Sequence, residues 1–424
     1  MIKLLGSGAY GCVINKSLKN KPYSYNYVGD INKKEFKNNE KKNKYISKIF
    51  ASTEAYCEEL VILTKILFKY HKYFNSIELF NNLSLAPKKC SSFLIATNMN
   101  KYETSKKKDI VMDKLNKFFK QKKYNEYKEK ETISECIINK FDKDSDTLKI
   151  HEIIYENGGT QLDEIQINDH DFIKAFIILC KSLQTLHELQ FIHRDIKPMN
   201  ILYNHDNNKL SLIDFGMCIP SNQLYDVKEK WWIESPYFIS PPEYCLIDKN
   251  NKYKNLDIIY NYFHKNDEFY IKKKKEYDDF FNLYNNINTI DDIPDKIKKV
   301  AYKSDIYSLG ITLLLIYINN NIRITHPNNE LIKSKILDLI DKMTTTNPFN
   351  RYNLHDVINY LFELEKLYIS DIELQKYNSI KCDEDIVNIT NALSNLKQKG
   401  GAKIIFKKYK KYKKNICKKP IKII

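Results

Sequence analysis

A mixed α+β fold, with strands leading and helices following, is what this sequence predicts, on three observations. Near the start, Ile2-Lys-Leu-Leu-Gly-Ser-Gly-Ala-Tyr-Gly-Cys-Val13 sets apolar residues on both sides of a Gly-rich turn, the pattern of strand, tight loop and strand. Between Asp171 and Leu189, the residues Phe172, Phe176, Leu179, Leu183 and Leu186 recur on one side of a helix. From Tyr307 to Ile318 the chain is apolar all round, as in a helix buried on every side.

The elements between them follow from local pattern. Lys16 to Lys44 is rich in Lys and Asn without periodicity and reads as a long surface loop. Tyr45-Ile-Ser-Lys-Ile-Phe50 alternates like a strand. Thr53 to Phe68 carries Leu60, Leu63, Ile66 and Leu67 at helical spacing, with Ser52 or Thr53 placed to cap it. Residues 70–146 give little pattern, and Lys101 to Lys130 within them is a charged stretch of surface helix or loop. Leu148 to Tyr155 reads as a strand that stops at Gly158-Gly159. Phe191 to Tyr203 and Leu210 to Gly216 are loop and strand in character, Lys254 to Lys299 is polar and dotted with aromatics, and Leu331 to Leu367 gives further helices. No internal repeat is present.

A length of 424 residues sets a prior of two to three domains, and 43% hydrophobic with 29% charged residues excludes wholesale disorder. Only 10 Gly and 11 Pro exclude collagen-like and Pro/Gly-rich chains. The net charge of +16 is uneven: no acidic residue follows Asp385, and twelve Lys lie between Lys397 and Lys422, so 16 less 12 leaves +4 for the rest. An anionic partner is therefore a question about the tail. The 9 Cys are scattered singles of odd number, which opposes a disulfide framework or thiolate zinc site and fits a reducing compartment. Met1 to Leu5 runs straight into the Gly-rich turn without a signal peptide, and the longest apolar stretch, Leu309 to Ile318, is too short for roughly 30 Å of hydrocarbon. The expectation is a soluble intracellular protein.

Three motifs carry chemistry. Gly6-Ser-Gly-Ala-Tyr-Gly11-Cys-Val13 matches G-x-G-x-x-G-x-V, a loop whose backbone N–H groups approach phosphate oxygens. Alone it is weak, and an ordinary Gly-rich hairpin or a dinucleotide loop fits it too. Phe191-Ile-His-Arg-Asp-Ile-Lys-Pro-Met-Asn-Ile-Leu202 is far more specific, and Ile213-Asp-Phe-Gly216 brings an Asp 14 residues after Asn200. In this order the set resembles the eukaryotic-type protein kinases, with their H-R-D-x-K-P-x-N loop and D-F-G motif behind a Gly-rich loop. The resemblance runs from about Ile2 to about Leu367.

The resemblance implies a bilobal kinase fold: an N-lobe to residue 157 made of an antiparallel sheet and one helix, a mainly helical C-lobe over residues 158–367, and ATP with Mg²⁺ between them. Phosphoryl transfer needs positioning and charge neutralisation more than covalent help. Asp195 would be the catalytic base and Lys197 would neutralise the moving phosphoryl group; that Lys marks the Ser/Thr class. Asn200 and Asp214 would hold the metal, as hard oxygen ligands suit Mg²⁺. Gly6, Ser7, Gly8, Ala9, Tyr10, Gly11 and Val13 would line the nucleotide, and Lys48 would contact its phosphates. Glu59 is the expected partner of Lys48, with Glu58 and then Glu54 as alternatives. Ile46 stands where the family has a small Ala above the adenine. Ile154-Tyr-Glu-Asn-Gly-Gly159 resembles the hinge between the lobes, where Tyr155 would be the gatekeeper beside the adenine pocket and backbone groups of Glu156 and Gly158 would meet the adenine edge. Glu243, in Ser240-Pro-Pro-Glu243, would pair with Arg351, and Asp305 would anchor the catalytic loop. His193 and Phe215 would pack in the core. Arg194 would meet a phosphate on Ser235, Tyr237 or Ser221 if the segment is regulated by phosphorylation.

Three spacings exceed the compact kinase pattern: Gly11 to Lys48 is 37, Glu59 to Glu156 is 97, and Glu243 to Asp305 is 62. They mark insertions near residues 16–44, 70–146 and 244–300. Lys48 to Glu59 is only 11, so the helix starts abruptly. Residues 368–424 form a C-terminal extension. Its run Phe406-Lys-Lys-Tyr-Lys-Lys-Tyr-Lys-Lys414 suits contact with nucleic acid or an anionic membrane, or is a solvated end. Insertions and a composition heavy in Asn, Lys, Ile and Tyr make the chain most similar to kinases of large cytoplasmic DNA viruses, which would place it in host cytoplasm or virion. The expected activity is phosphorylation of Ser or Thr on protein substrates. A non-catalytic scaffold and a small-molecule kinase of related fold are the competing readings, and the intact Lys48, Asp195, Asn200 and Asp214 argue against the first.

Overall fold

Tyr45–Phe50, which alternates, and Leu148–Glu156, buried on both faces from Ile150 to Ile154, are the two central strands of an antiparallel sheet. The computed structural model describes residues 4–7, 12–14, 24–27, 45–73, 89–119, 133–141, 145–224, 239–246, 267–286 and 295–368. The chain divides into two units, 1–361 and 362–424. In the second, the described residues are the end of one helix and two residues beyond it, where Lys366 pairs with Glu363 at 2.6 Å. Everything else below concerns the first unit.

Strands β1 (Leu4–Ser7), β2 (Cys12–Ile14), β3 (Ser24–Tyr27), β4 (Tyr45–Phe50), β5 (Lys89–Ala96) and β6 (Leu148–Glu156) form one six-stranded sheet in the order β1-β2-β4-β6-β5-β3. Every neighbouring pair is antiparallel. Only two residues separate the end of β4 from helix α1 (Thr53–Tyr73). Ser52 makes that abrupt start possible, because its hydroxyl accepts the Ala55 N–H at 3.2 Å. The edge strand β3 corrects the reading of residues 16–44 as loop throughout: Ser24 to Tyr27 pair with Ser92 to Lys89.

Residues 70–146 are likewise more than surface decoration. They supply β5 and two helices, α2 (Thr104–Phe119) and α3 (Ile133–Ile138). Val111, Leu115 and Phe119 recur at four-residue steps on α2 and pack with Cys136 and Ile137 of α3 against Cys12, Ile14, Ile49, Phe93 and Ile150 of the sheet. These helices cover the sheet face opposite to the one that carries Lys48, because neighbours along a strand point to opposite faces. Cys12 and Cys136 form a disulfide there, which corrects the expectation of reduced thiols. The partners are 124 residues apart, so no local spacing announces them. Cys57, Cys180 and Cys218 are free thiols.

After the sheet come β7 (Thr160–Gln161), β8 (Ile167–Asn168), α4 (Asp169–Glu188), β9 (Phe191–Ile192), β10 (Ile201–Asn204), β11 (Lys209–Leu212) and β12 (Ile219–Pro220). Asn168 caps α4 by accepting the Asp171 N–H at 2.8 Å. Small sheets pair β11-β10-β7 and β12-β9 around the loops at Asp195 and Asp214. The helical remainder is α5 (Asp267–Leu283), α6 (Asp295–Lys298), α7 (Lys303–Ile318), α8 (Asn329–Met343) and α9 (Leu354–Lys366), with β13 (Ile322–Arg323) pairing parallel to β8. The apolar run predicted from Tyr307 is α7, buried from Lys303 to Ile316. It crosses α8 closely at Gly310, where a Cβ would stand 2.8 Å from Met343 Cβ and Thr344 Cγ2.

Helix α5 corrects the reading of residues 254–299 as a polar stretch between motifs. Tyr277, Phe280, Phe281 and Tyr284 fall at helical spacing and join Ile192, Ile219, Leu224 and Tyr244 in a core cluster. Tyr277 also meets Tyr307 of α7, hydroxyl to hydroxyl at 3.0 Å. Lys273, 1% exposed, ties α5 to the end of α8 through Asp341 Oδ1 at 3.2 Å and the Thr344 carbonyl at 3.2 Å. The architecture is that of a bilobal kinase fold, with an antiparallel sheet and the three helices α1 to α3 before the end of β6 and a mainly helical part after it.

Candidate active site

Lys48 lies mid-way along β4, paired with Val13 on one side and Ile153 on the other. Its Nζ stands 2.7 Å from Glu59 Oε2 and 2.8 Å from Asp214 Oδ1. The structure therefore brings together a strand residue, a helix residue and a loop residue that the sequence spreads over 166 positions. Burial alone would push the ammonium towards neutrality, but the two carboxylates outweigh it and hold its pKa above the ordinary lysine range. Burial raises Glu59 above the usual carboxylate range, against the pull of Lys48. Burial works on Asp214 in the same sense, yet the Lys48 charge and hydrogen bond prevail and its pKa is lowered. The Oε1 atom of Glu59 is taken by the Tyr155 hydroxyl at 2.7 Å.

A second cluster sits on the loop between β9 and β10. Lys197 Nζ donates to Asp195 at 3.0 Å. Asn200 Nδ2 donates to the Asp195 carbonyl at 2.8 Å and to its Oδ2 at 2.7 Å. Asp195 is thus held at its backbone and at its carboxylate by the two residues expected beside it. Because the amide hydrogens of Asn200 serve Asp195, its Oδ1 is the atom left to act as a ligand. Asp214 offers Oδ2 in the same way, its Oδ1 being occupied by Lys48. A pair of hard oxygens suits Mg²⁺, which keeps few protein ligands and takes the rest from water and phosphate. Among the described residues no cluster of three or more His, Cys, Asp or Glu makes an all-protein cage.

The backbone is strained at one residue of this loop and at one of the loop after β11. Arg194 and Asp214 both have left-handed backbone, with φ of 70° and 62°. Asp305, at the start of α7, accepts the His193 N–H on Oδ2 at 2.7 Å and the Arg194 N–H on Oδ1 at 2.8 Å. The His187 ring adds a donor to Oδ2 at 3.0 Å. Burial opposes this carboxylate, but these donors keep it ionised, with a pKa below the usual range. The His193 ring accepts the Asp195 N–H at Nδ1 and donates from Nε2 to the Ile213 carbonyl at 3.1 Å, which fixes its tautomer. Its edge meets Phe215, with ring centroids 4.7 Å apart, so these two residues are core packing that joins the Asp195 and Asp214 loops.

Helix α7 holds more of the site than its apolar sequence announced. Ser308 Oγ donates to the Ile239 carbonyl at 2.7 Å, and Thr312 Oγ1 to the Ile196 carbonyl at 3.1 Å. With Asp305 they form a polar stripe at helical spacing that grips the loop at Asp195 and the segment before Glu243. Sequence reasoning missed both hydroxyls; the available sign was polarity inside an otherwise apolar run. Glu243 and Arg351 meet in a bidentate pair, at 2.7 and 2.8 Å.

At the junction of the lobes, Glu156 closes β6 opposite Tyr45. Gly158 and Gly159 follow, and at Gly159 nothing larger fits: it has φ +107°, and a Cβ there would lie 1.9 Å from the Tyr203 carbonyl oxygen. A Cβ on Gly158 would lie 2.8 Å from Leu202 Cδ1. Of the Gly-rich loop, Gly6 and Ser7 end β1 and Val13 lies on β2, while Gly8, Ala9, Tyr10 and Gly11 lie outside the described residues. So do Ser235, Tyr237 and the basic tail. Ser221 opens a short helical turn, and its N–H donates to the Gln190 carbonyl at 2.8 Å. Arg194 is only 8% exposed, beside buried Tyr244.

Residues 1–362 match the family model described as the protein kinase domain. A serine/threonine-protein kinase of Dictyostelium discoideum, dst1, is 35% identical over 105 residues, covering 23% of this chain and 13% of that protein. Calcium-dependent protein kinase 11 of Arabidopsis thaliana is 33% identical over 107 residues, covering 23% and 20%. Serine/threonine-protein kinase shk2 of Schizosaccharomyces pombe is 29% identical over 102 residues, covering 23% and 16%. The chain thus spans about a fifth or less of these relatives' lengths.

Proposed function

The chain belongs to the protein kinase domain family, and on that premise we propose that it transfers the γ-phosphoryl group of ATP, with Mg²⁺, to Ser or Thr hydroxyls of protein substrates. One observation carries the reading: two polar clusters, Lys48 with Glu59 and Asp214, and Asp195 with Lys197 and Asn200, stand assembled. Lys48, kept protonated by its carboxylates, binds the α/β-phosphates and orients the nucleotide. Asp195 is fixed by Asn200 and accepts the proton of the attacking hydroxyl as that oxygen bonds to phosphorus and the bond to the ADP oxygen breaks. Lys197, already beside Asp195, balances charge on the moving group. Asn200 Oδ1 and Asp214 would hold Mg²⁺, which when bound neutralises the phosphates. Gly6 to Gly11 and Val13 cover the phosphates, and the backbone of Glu156 and Gly158 meets the adenine edge. Glu59, Glu243, Asp305 and Arg351 support these groups without touching substrate. Lys197 and the names of the relatives support the Ser/Thr class.

The test is incubation of the purified protein with labelled ATP, Mg²⁺ and generic basic and acidic protein substrates, followed by identification of the phosphorylated amino acid. Label on Ser or Thr, lost in Asp195→Asn, is the expected result. Nucleotide binding without any transfer would favour a scaffold instead.

The basic run from Phe406 to Lys414 supports an anionic partner, nucleic acid or an anionic membrane surface, and binding that falls with salt and with truncation at about Ser394 is the corresponding test. Among the described residues no helix is long and apolar enough to cross a membrane. Residue usage and the insertions support an origin in a large cytoplasmic DNA virus, acting in host cytoplasm or virion.

A further inference from the structure

Both oxygens of Glu59 are engaged, although the residue is 3% exposed and one lysine already pairs with it. Lys48 takes Oε2, and the Tyr155 hydroxyl donates to Oε1 at 2.7 Å. Tyr155 is the penultimate residue of β6, the strand that leads into the hinge. In the β4–β6 pairing Ile46 faces Tyr155, Lys48 faces Ile153 and Phe50 faces His151. Tyr155, Ile153 and His151 therefore share the sheet face that carries Lys48. Helix α1 packs on that face, where Phe50, Tyr56 and Ile153 form a buried cluster with Leu60 and Tyr155 against it. His151 holds the first turn of the helix: its Nε2 is 2.9 Å from Thr53 Oγ1, and its ring stacks on Tyr56 at 4.5 Å. With a two-residue connection from β4, α1 is fixed at its start by His151 and at its working residue by Tyr155.

We infer that Tyr155 is a positioning residue for phosphoryl transfer, whose hydroxyl holds the Glu59 carboxylate in place so that Lys48 stays aimed at the nucleotide without an external activator drawing α1 inward. A buried carboxylate oxygen left without its donor is costly and turns towards another donor or water. Removing the phenol therefore releases Glu59, and with it Lys48. The inference deepens the kinase reading and rests on it for the role of Lys48.

Tyr155→Phe tests it, since the ring and its packing stay and only the hydroxyl goes. In the full-length protein, kcat should fall roughly tenfold, the scale of one hydrogen bond to a charged group. KM for ATP should rise several-fold while KM for the protein substrate stays unchanged, a split that a misfolded fraction would not produce. In a Glu59→Gln background the same change should alter the rate by less than about twofold, because the carboxylate it serves is gone. Wild-type kinetics in the Phe variant, or an undiminished tenfold loss in the Gln background, would overturn the inference. Amide hydrogen exchange of α1 without nucleotide reads the positioning independently of turnover: faster exchange in the Phe variant is expected, and unchanged exchange overturns it. If the wild-type protein transfers no phosphate, it is the kinase reading that fails, and the exchange result still decides whether Tyr155 holds the helix.

Discussion

Arg351 and Glu243 face each other along two parallel N–H···O bonds of 2.7 and 2.8 Å, with both side chains sealed from solvent. The guanidinium also donates to the carbonyls of Thr345, Thr346 and Lys303 and lies over the Tyr307 ring, centroid at 5.0 Å. One side chain thus pins the segment before α9, the start of α7 and the end of the segment that carries Glu243. Arg is required because its planar fork matches a carboxylate and five donors can serve several acceptors at once.

Glu243→Gln keeps the shape but leaves a buried guanidinium without counter-charge. It should destabilise the protein by about 3 kcal/mol or more. Arg351→Lys should cost a similar amount, since an ammonium cannot reproduce the fork. Urea denaturation measures both; a loss below about 1 kcal/mol in either would mean the pair is not what holds this region.

Asp195→Asn should leave nucleotide affinity near the wild-type value and lower phosphoryl transfer roughly 10²–10⁴-fold, because the backbone fixed by Asn200 stays while the proton acceptor goes. Asp214→Asn should weaken Mg-nucleotide binding and turnover together. Nucleotide titration beside a transfer assay separates the two variants, and equal behaviour of the pair would contradict their division of labour.

Acid should loosen α1 through His151. Burial, helped by the Lys149 charge, pushes this imidazole down from 6.5 to about 4. The unfolded chain takes up a proton near pH 6.5 whereas the native protein does so only near 4, so this contribution to stability is full above pH 6.5 and is lost as pH falls through that window. His151→Phe keeps a ring against Tyr56 and removes the titration. The wild type should lose more stability than the variant between pH 7 and about pH 4.5; parallel losses would sink the idea.

Reduction should loosen the sheet's outer cover. The Cys12–Cys136 bond closes a long loop and links the strand after the Gly-rich turn to α3. Its loss should lower stability by about 2–4 kcal/mol. Denaturation with and without dithiothreitol reads this directly, and the Cys12→Ser/Cys136→Ser variant should ignore the reductant. A wild type indifferent to reductant would mean the bond contributes nothing.

Residue spacing alone determined much of this protein. Local backbone chemistry set β4, α1, β6, α4 and α7, since alternation, helical period and a cap at Ser52 act within a few residues. The motif at Asp195, Lys197 and Asn200 was legible for the same reason: its members lie within one short loop and bond to one another. Other features needed the folded chain. Tyr155 reaches Glu59 across 96 positions, and Ser308 reaches the Ile239 carbonyl across 69. Nothing near either residue in sequence indicates such a partner, because the distance is closed by sheet register and helix packing. Helices α2 and α5 lie between these cases. Val111, Leu115 and Phe119, or Tyr277, Phe280, Phe281 and Tyr284, carry a helical period, but dense Lys and Asp around them hide a single buried stripe. Only tertiary structure decided that these stripes face the core, since a period shows that a helix has an apolar side and the remainder of the fold determines what covers it.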